Sequence, residues 1–336
     1  MKVAIFSTKS YEREYLDKFN TDGRHQLIYF DASLNADTTN LASGFEAVCV
    51  FVSDKMDAKT IEKLATAGIA VKLIVLRSAG FNNVDIKAAA AHNIKVLRVP
   101  AYSPQAVAEH ASALILTLNR KTHKAYNRVR EGNFSVENLM GFNLHEKTVG
   151  VVGTGHIGAA FCQIMIGFGC KVIAYDIKES ADLREKGVEY KPFDDLLQQS
   201  DIISLHCPLT PDTHYLFNSA AFSKMKKGVM LINTGRGALI NTSDAIDALK
   251  KGKLGYLGID VYEQEENLFF KDLSESIIQD DLIERLMSFH NVLITPHQGF
   301  FTKEALDQIA ITTIQNFSDF ENGAPLENEV TPEKIK

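Results

Sequence analysis

The sequence predicts an α/β protein built on two doubly wound parallel sheets, each covered by helices on both faces. Short apolar runs rich in valine and isoleucine alternate with helical patterns along the chain. The runs are continuously apolar, as in parallel strands that are buried on both faces. The alternation breaks once, near Pro100, and then resumes as a second series. The 336 residues are enough for two domains with separate cores.

The first series occupies the first hundred residues. Its predicted strands are KVAIFS (2–7), QLIYFD (26–31), AVCVF (47–51), VKLIVLRS (71–78) and IKVLRV (94–99). Helical patterns lie between several of them, up to about Phe19, at 57–66 and at 83–92. This order of strand and helix predicts a parallel sheet for the first series.

The break between the two series predicts a helix start. Pro100 and Pro104 bracket a short extended segment, in which Ser103 can cap a helix that has Pro104 at its first position. Apolar residues then recur at helical spacing, at Val107, Ala111, Leu114, Ile115 and Leu118. The sequence therefore predicts a long helix with a wide apolar stripe.

The second series begins at about residue 147. Its predicted strands are KTVGVVG (147–153), KVIAYD (171–176), DIISLHC (201–207), GVMLINT (228–234), GYLGIDV (255–261) and NVLIT (291–295). The segment 263–290 is acidic and polar, and it is long for a connection between strands. It predicts a short helix near 280–288.

Composition excludes several classes of protein. The chain is 45% hydrophobic and 23% charged, as in soluble globular proteins, and its net charge of −6 argues against nucleic-acid binding. The apolar run at the start is too short for a signal peptide, and no apolar segment is long enough to span a membrane. The four cysteines form no CxxC pair and no zinc-ligand spacing. The sequence therefore predicts a cytoplasmic protein with reduced thiols and no metal site.

A glycine motif predicts where a dinucleotide binds. Gly153, Gly155 and Gly158 form GxGxxG in "VVGTGHIGAAF", after a predicted strand and at the start of a predicted helix. The glycines allow a tight turn and let the backbone approach a pyrophosphate. The helix N-terminus at His156-Ile157 then presents free amides to it. The motif in this context predicts a Rossmann domain.

Asp176 predicts which dinucleotide is bound. It ends the next predicted strand, at about the distance from Gly153 where an acid hydrogen-bonds the adenosine ribose. A carboxylate there repels a 2′-phosphate, so the sequence favours NAD over NADP. Lys178 lies nearby and could partly offset the repulsion, although a solvated surface lysine is the simpler interpretation.

Arg236 lies in "LINTGRGALI", just beyond the carboxyl end of another predicted strand. Ligands of such sheets bind beyond these strand ends. The planar guanidinium suits a carboxylate, and its fixed charge can polarise a neighbouring carbonyl. The alternative is a surface arginine that completes the turn between Gly235 and Gly237.

Three acids follow the predicted strand "GIDV", at Glu263, Glu265 and Glu266. One of them could reach His297, orient its imidazole and favour the charged form of the ring. For Glu263 and Glu266 the sequence favours a solvated acidic loop.

His297 lies at the end of the predicted strand in "NVLITPHQGFF", at the same predicted sheet edge as Gly153, Arg236 and Asp260. Taken alone, it could be a core histidine bound to a backbone carbonyl. Together, a nicotinamide, an arginine and a titratable ring are what hydride transfer to a 2-keto acid requires. The arginine binds the carboxylate, the cofactor gives the hydride and the imidazolium gives the proton.

These motifs together resemble the D-2-hydroxyacid dehydrogenases, most closely their D-lactate dehydrogenase branch. The likeness runs over nearly the whole chain and is carried by "RSAGFNNVD", "RVPAYSPQAVAEHA", "VVGTGHIG", "SLHCPLTPDT", "NTGRGALI", "GIDVYE" and "TPHQGF". The long segment containing "LFFKDLSESIIQDDL" is similar to the D-lactate branch too.

The resemblance implies a role for each site residue. Arg236, Glu265 and His297 would be catalytic, with Arg236 on the substrate carboxylate and Glu265 paired with His297, the acid/base. The residues implied to contact NAD are Gly153, Gly155, His156, Ile157, Gly158, Asp176, Cys207, Pro208, Thr213, Thr234, Gly235, Arg236 and Asp260. Those implied to bind the 2-keto or 2-hydroxy acid are Ala79, Gly80, Tyr102, Arg236, His297 and Phe300.

The resemblance also implies discontinuous domains. Residues 1–100 and 299–336 would form a flavodoxin-like substrate domain, and residues 101–298 the Rossmann NAD-binding domain, with hinges near Pro100 and Gly299. A homodimer or higher homo-oligomer is implied, with the long helix after Pro104 as a dimer contact; the alternative is a core helix of one domain.

Two other functions stay open at the level of sequence. The first is a dehydrogenase for a larger, branched or aromatic D-2-hydroxy acid. The second is an NAD-sensing corepressor, because such relatives can keep the arginine, glutamate and histidine. The chain lacks basic patches and long disordered tails, which disfavours the corepressor. Phe300 and Tyr102 suggest a small pocket, which favours pyruvate.

Overall fold

The structure, a computed structural model, describes residues 1–66 and 68–334. The chain divides into two compact units. Unit 1 consists of Met1–Ser103 and Phe301–Lys336, and unit 2 of Pro104–Phe300. The family resemblance implies crossings near residues 100 and 299.

Each unit contains one parallel sheet, and each named strand belongs to one of these two sheets. The strands are β1 (Lys2–Ile5), β2 (Gln26–Tyr29), β3 (Ala47–Val50), β4 (Leu73–Leu76), β5 (Lys95–Leu97), β6 (Thr148–Val152), β7 (Lys171–Tyr175), β8 (Glu189–Tyr190), β9 (Ile202–Leu205), β10 (Val229–Asn233), β11 (Leu254–Ile259) and β12 (Val292–Ile294).

Helices connect most of these strands. They are α1 (Ser10–Phe19), α2 (Ala58–Ala65), α3 (Ile86–Ala91), α4 (Pro104–Arg120), α5 (Thr122–Arg130), α6 (His156–Gly167), α7 (Ala181–Glu185), α8 (Phe193–Gln199), α9 (Ser219–Lys224), α10 (Thr242–Lys250), α11 (Asp281–Met287) and α12 (Lys303–Asn322).

The sheet of unit 1 has five parallel strands in the order β2-β1-β3-β4-β5. This is the flavodoxin-like order. Successive side chains of a strand point to opposite faces of the sheet, and β1 has buried side chains on both faces. Val3 and Ile5 pack with residues of α1 and α12, whereas Ala4 and Phe6 pack with residues of α2 and α3. The predicted flavodoxin-like sheet is confirmed.

The sheet of unit 2 has seven parallel strands in the order β12-β11-β10-β9-β6-β7-β8. Six of them follow the classic Rossmann order, with β12 added beyond the last, so the predicted Rossmann domain is confirmed. The strand order reverses between β6 and β9, and ligands of such sheets bind at this switch point. The two-residue edge strand β8 is too short to give an apolar run, and the sequence pattern does not reveal it.

Helix α4 and the long segment between β11 and β12 can be compared with the sequence predictions. The stripe of α4 is buried within unit 2, where Ala111, Leu114 and Leu118 pack with residues of α6 and of strands β6 and β10. The apolar stripe of α4 therefore belongs to the core of unit 2. This was the alternative to the interpretation of the stripe as a dimer contact. The long segment between β11 and β12 contains a 3₁₀ helix at Glu265–Asn267 and then α11, close to the helix predicted near 280–288.

The described residues contain neither a membrane-spanning helix nor a cluster of metal ligands. No helix in that part of the chain is long and apolar enough to cross a membrane. Within the same part, no group of histidine, cysteine and acidic side chains could hold a metal ion.

Candidate active site

The turn after β6 is shaped by two glycines that no other residue could replace without movement. Gly153 has a φ of +92°, and a Cβ on it would lie 2.5 Å from the backbone nitrogen of Cys207. A Cβ on Gly158 would lie 2.0 Å from the carbonyl oxygen of Gly153. Side chains would therefore push apart the ends of β6 and β9 and the start of α6. These two glycines bring the backbone together at the switch point.

Gly155 is glycine for a different reason. A Cβ on it would meet no described atom within 4 Å, so the space above the turn is open. Gly155 is the N-cap of α6, and no side chain caps the helix there. The amides of the first turn, which includes His156 and Ile157, therefore carry the partial positive charge of a helix N-terminus without a capping side chain.

Asp176 lies at the carboxyl end of β7 and is tied to the same turn. Its Oδ2 accepts hydrogen bonds from the amide of Thr154 at 2.5 Å and from its hydroxyl at 3.0 Å, and its Oδ1 accepts from the amide of Lys178 at 2.9 Å. Burial opposes ionisation, but these donors together with the Ile177 amide outweigh it and lower the pKa of the carboxyl. Asp176 is therefore an anion at neutral pH.

The loop after β9 holds three of the sequence-predicted residues. The hydroxyl of Thr213 donates to the carbonyl of Pro208 at 2.7 Å and accepts from the amide of Thr210 at 2.7 Å, which closes the loop on itself. Burial raises the pKa of the Cys207 thiol to about 11. The thiol is neutral, so Cys207 offers its backbone rather than a thiolate.

Arg236 lies on a tight loop after β10 that the buried Asn233 organises. The Asn233 side chain accepts from the amide of Gly235 at 3.0 Å and donates to the carbonyl of Arg236 at 2.9 Å. The Arg236 guanidinium donates to the carbonyl of Gly235 at 2.7 Å. The hydroxyl oxygen of Thr234, at the start of this loop, is buried and has no hydrogen-bond partner among the described residues.

The Arg236 loop packs directly on the segment that carries Glu265. A Cβ on Gly237 would lie 2.1 Å from the carbonyl carbon of Tyr262 and 2.3 Å from the nitrogen of Glu263. Glu265 in turn accepts a hydrogen bond from the amide of Tyr262 at 3.0 Å through its Oε2. The two catalytic candidates Arg236 and Glu265 therefore stand on neighbouring, mutually packed segments.

Glu265 and His297 form a direct pair. The Nδ1 of His297 lies 3.0 Å from the Oε1 of Glu265, and the side chains are 19% and 23% exposed. A carboxylate only accepts hydrogen bonds, so Nδ1 of the ring must carry a hydrogen. The pairing of these two residues agrees with the sequence hypothesis, and a core histidine bound only to a carbonyl does not describe this ring.

The backbone at His297 is strained, and Asp260 restrains it. His297 has a φ of +55°, which is uncommon for a residue with a side chain. The buried carboxylate of Asp260 accepts from the amides of Gln298 at 2.9 Å and Gly299 at 2.8 Å, and from the hydroxyl of Thr295 at 2.5 Å. In this structure Asp260 therefore holds the turn that presents the histidine; its contact with NAD stays a prediction.

The prediction that Glu263 belongs to a solvated loop is wrong. Its Oε2 accepts from the Tyr215 hydroxyl at 2.6 Å and its Oε1 accepts from the amide of Thr242 at 3.2 Å. Glu263 thus ties the loop after β9 and the start of α10 to the end of β11. Glu266 is exposed, as predicted.

Phe270 is a site residue that the sequence did not reveal. Its ring centroid lies 5.7 Å from that of His297. Its φ is +62°, a strained conformation for a bulky residue, and such outliers are often found at functional sites. "LFF" in the sequence gives no sign of this, because a phenylalanine pair is the ordinary content of a core.

The remaining candidates fall in different units. Ala79, Gly80 and Tyr102 belong to unit 1, and Phe300 is the last residue of unit 2. Ala79 and Gly80 follow the carboxyl end of β4, and their amides donate to no described residue. Tyr102 and Phe300 are both half-buried.

The residues of unit 2 fit an NAD molecule. The open space at Gly155, the free amides of α6, the anionic Asp176 and the buried Thr234 hydroxyl lie at the carboxyl ends of β6, β7 and β10. In a parallel sheet these ends share one edge, where dinucleotides bind. These groups would meet a pyrophosphate, a ribose and a polar group of the cofactor.

Comparisons with known proteins agree with this assignment. Residues 112–299 match the family model of the D-isomer specific 2-hydroxyacid dehydrogenase NAD binding domain. The chain is 52% identical to D-lactate dehydrogenase of Escherichia coli over 98% of this chain and 100% of that protein. Among solved structures, the pyruvate reductase of Chlamydomonas reinhardtii matches with a TM-score of 0.91 and 46% identity over 98% of both chains. D-lactate dehydrogenase from Aquifex aeolicus, complexed with NAD and lactic acid, matches with a TM-score of 0.85 and 35% identity over 96% of both chains.

The chain therefore belongs to the D-isomer specific 2-hydroxyacid dehydrogenases. It is an NAD-dependent oxidoreductase, and its substrate is a small 2-hydroxy or 2-keto acid.

Proposed function

We propose that this protein is an NAD-dependent D-lactate dehydrogenase, which reduces pyruvate to D-lactate and catalyses the reverse reaction. The observation that carries the proposal is the Glu265–His297 pair, with its 3.0 Å contact at the carboxyl end of a Rossmann sheet. The D-lactate and pyruvate chemistry in the names of the matched relatives supports the choice of substrate.

His297 acts through its Nε2 atom in this proposal. Glu265 occupies Nδ1, so only Nε2 is left to face the reacting oxygen. When the ring is charged, Nε2 carries a proton and gives it to the carbonyl oxygen of pyruvate. When the ring is neutral, with its hydrogen on Nδ1, Nε2 accepts the hydroxyl proton of D-lactate.

The substrate carboxylate is bound by Arg236 and by the amides of Ala79 and Gly80, and Tyr102 and Phe300 limit the size of the side chain. A guanidinium binds a carboxylate through two parallel hydrogen bonds, which fixes the orientation of the adjacent carbonyl carbon. Bound NADH supplies the hydride to that carbon.

An assay with three 2-keto acids tests the proposal. We expect the protein to oxidise NADH with pyruvate faster, in kcat/KM, than with 2-ketoisocaproate or phenylpyruvate, because one methylene in a pocket is worth about 1–3 kcal/mol. The product should be D-lactate, identified by a stereospecific assay. Preference for a larger acid would make the protein a dehydrogenase for that acid, and binding of NADH without any turnover would favour a corepressor.

Cofactor choice gives a prediction about Asp176. We expect NADH to be preferred over NADPH by roughly a hundredfold in kcat/KM, because placing like charges together costs several kcal/mol. Asp176→Ala should narrow this gap, since it removes a ribose contact and also the repulsion of the 2′-phosphate.

The matched control for this experiment is Asp182→Ala, which removes an exposed carboxylate that pairs with Lys186 on α7. This variant should keep the native preference. Equal kcat/KM values for NADH and NADPH in the native protein would show that Asp176 does not select the cofactor.

We also infer that two copies associate, and that the surface involved is the segment 126–140. Its large apolar side chains are exposed, at Tyr126, Val129, Phe134, Val136 and Met140. Val136 and Met140 are 81% and 86% exposed, and monomeric proteins seldom leave such a group of apolar side chains in water. Burial of the apolar stripe of α4 inside unit 2 leaves this segment as the better candidate.

Light scattering coupled to size exclusion tests the association. The native protein should elute as a dimer or a larger assembly, and Val136→Glu should shift it toward the monomer. Ile177→Glu, a change at another exposed apolar residue, should leave the native assembly intact. If the native protein is a monomer, the proposed association of two copies is wrong.

A cytoplasmic location is the last part of the proposal. The four cysteines are all free, which suits a reducing compartment. Fractionation of cells that express the protein would test this, and recovery with the membrane fraction would contradict it.

A further inference from the structure

The loop after β4 is held by hydrogen bonds to its carbonyl oxygens. It consists of Ser78, Ala79, Gly80 and Phe81 and is here called the β4 loop. The carbonyl of Ser78 accepts from the amide of Val99 at 3.2 Å, and that of Gly80 accepts from the hydroxyl of Ser78 at 2.8 Å. The carbonyl of Ala79 accepts from Nη1 of Arg98 at 2.7 Å. The loop is therefore held through its carbonyl groups.

Holding a carbonyl also orients the amide that follows it. A trans peptide is planar, and its C=O and N–H point in opposite directions. The Arg98 contact with the carbonyl of Ala79 therefore fixes the direction of the Gly80 amide. The Val99 contact with Ser78 fixes the Ala79 amide in the same way. These two amides donate to no described residue, so the loop presents oriented donors of the kind that bind anions.

Arg98 is an unusual residue to find in this position. It is half-buried, its guanidinium lies 5.3 Å from the ring centroid of Phe81, and none of the ion pairs among the described residues includes it. Its backbone is fixed too, since its amide donates to the carbonyl of Asn328 and its carbonyl accepts from the side chain of Asn316. Burial lowers the pKa of the guanidinium, although an arginine remains charged. The charged Arg98 guanidinium is thus partly removed from water, and it donates to the neutral carbonyl of Ala79.

The residue before the loop is anchored independently. Arg77 is 2% exposed, and its guanidinium donates to Glu12 at 2.8 Å and to the carbonyl of Phe6 at 3.0 Å. This buried pair fixes where the β4 loop begins, but it does not touch the carbonyl of Ala79. Arg98 alone among the side chains of the described residues sets the Ala79–Gly80 peptide.

We infer that Arg98 is a positioning residue for substrate binding, which locks the Ala79–Gly80 peptide so that the Gly80 amide is available to the carboxylate of the 2-keto acid. The inference rests on the proposed function, because it assigns the carboxylate to these amides. Arg98 touches neither substrate nor cofactor in this role. Its loss should therefore weaken substrate binding and leave the proton and hydride steps intact.

The test compares Arg98→Met and Arg98→Lys with the native protein. For Arg98→Met we expect KM for pyruvate, and Kd for the unreactive analogue oxamate in the presence of NADH, to rise roughly ten- to a hundredfold, the usual effect of one hydrogen bond to a charged group. The value of kcat should stay within about twofold, by the same reasoning that only substrate binding changes. Arg98→Lys keeps a cationic donor and should recover part of the affinity.

Two comparisons separate positioning from general destabilisation. Lys95→Met removes a neighbouring cation that pairs with Glu329 at 2.8 Å on the surface, and should leave oxamate affinity at the native value. Kd for NADH and the melting temperature should be close to native in Arg98→Lys. Equal oxamate affinity in the native protein and Arg98→Met would overturn the inference, as would an equal loss in Lys95→Met.

The oxamate measurement also separates this inference from the proposed function. If the native protein binds oxamate but reduces no pyruvate, the proposed function fails, and a weaker affinity in Arg98→Met still supports the role of Arg98. If the native protein reduces pyruvate and Arg98→Met has a native KM, only the role of Arg98 fails. If the native protein binds no oxamate, both are overturned.

Discussion

Replacing His297 by glutamine is expected to lower kcat for pyruvate reduction by roughly 10²–10⁴, the range that general acid–base catalysis contributes. Glutamine can still hydrogen-bond, but it cannot give a proton to the carbonyl oxygen or take one back. Binding of NADH should be unchanged, because His297 belongs to the turn after β12 and not to the glycine turn after β6. Stopped-flow measurement of NADH oxidation would give the rate.

His290→Gln is the matched control for this change. His290 is exposed and directly precedes the segment that contains β12, and its carbonyl accepts from the Lys124 side chain. Its side chain has no part in the proposed reaction, so kcat should be native. If His297→Gln turned over pyruvate at the native rate, the proton would have to come from another group.

Glu265→Gln tests the partner of the histidine through the position of the ring hydrogen. The Glu265 carboxylate only accepts hydrogen bonds, so it holds the hydrogen of the neutral ring on Nδ1, 3.0 Å away, and leaves Nε2 as the acceptor. The amide of glutamine can also donate, which favours the hydrogen on Nε2, where it blocks acceptance of the hydroxyl proton of D-lactate. We therefore expect kcat for D-lactate oxidation to fall by roughly 10²–10⁴, the range of general acid–base catalysis. A native kcat in Glu265→Gln would show that Glu265 does not act on His297.

Arg236→Lys is the second change with a large expected effect. It keeps the positive charge but loses the planar fork, so a carboxylate that was bound by two hydrogen bonds is held by one flexible ammonium. Losing a partner from a desolvated charge pair costs about 2–5 kcal/mol, which corresponds to a fall in kcat/KM of roughly thirtyfold to several thousandfold. NADH affinity, measured by fluorescence titration, should hardly change.

Arg285→Lys provides the control, because Arg285 is exposed on α11 and its guanidinium lies over the ring of Phe289. It should have native kinetics. Near-native kcat/KM in Arg236→Lys would remove Arg236 from the substrate site and leave it as part of the turn that its contact with Gly235 completes.

The sequence predicted those parts of the site that depend on backbone geometry. Gly153 and Gly158 are glycines because backbone atoms lie where a Cβ would be, and this requirement is visible in the order of residue types. The strand ends were predicted as well, because continuous apolar runs mark strands buried on both faces. His297 and Arg236 follow such runs directly, so their common sheet edge could be inferred.

The sequence could not choose among contacts that depend on how a loop turns. Glu263 and Glu265 stand two residues apart, yet one binds Tyr215 and Thr242 and the other binds His297. The choice is made by the 3₁₀ turn that begins at Glu265 and has no apolar periodicity. The contact of Arg98 with the carbonyl of Ala79 was hidden for the same reason, because it joins the connections that follow two neighbouring strands.

Apolar periodicity also cannot say which surface an apolar stripe meets. The stripe of α4 predicted a contact without identifying the partner, and the structure assigns it to the core of unit 2. The exposed side chains of the segment 126–140 follow no helical period along most of their length. The surface proposed for association was therefore not apparent from the sequence.

The division of unit 1 between the two ends of the chain has a consequence for the order of events during synthesis. The strands of its sheet all lie within the first hundred residues, but Ala310 and Phe317 of α12 complete the core on one face of that sheet. A ribosome makes the chain from its N-terminus, so this face lacks part of its cover until residues 310–317 have been made. Unit 2 is one continuous segment, so all of its residues are made before α12, the helix that completes the core of unit 1.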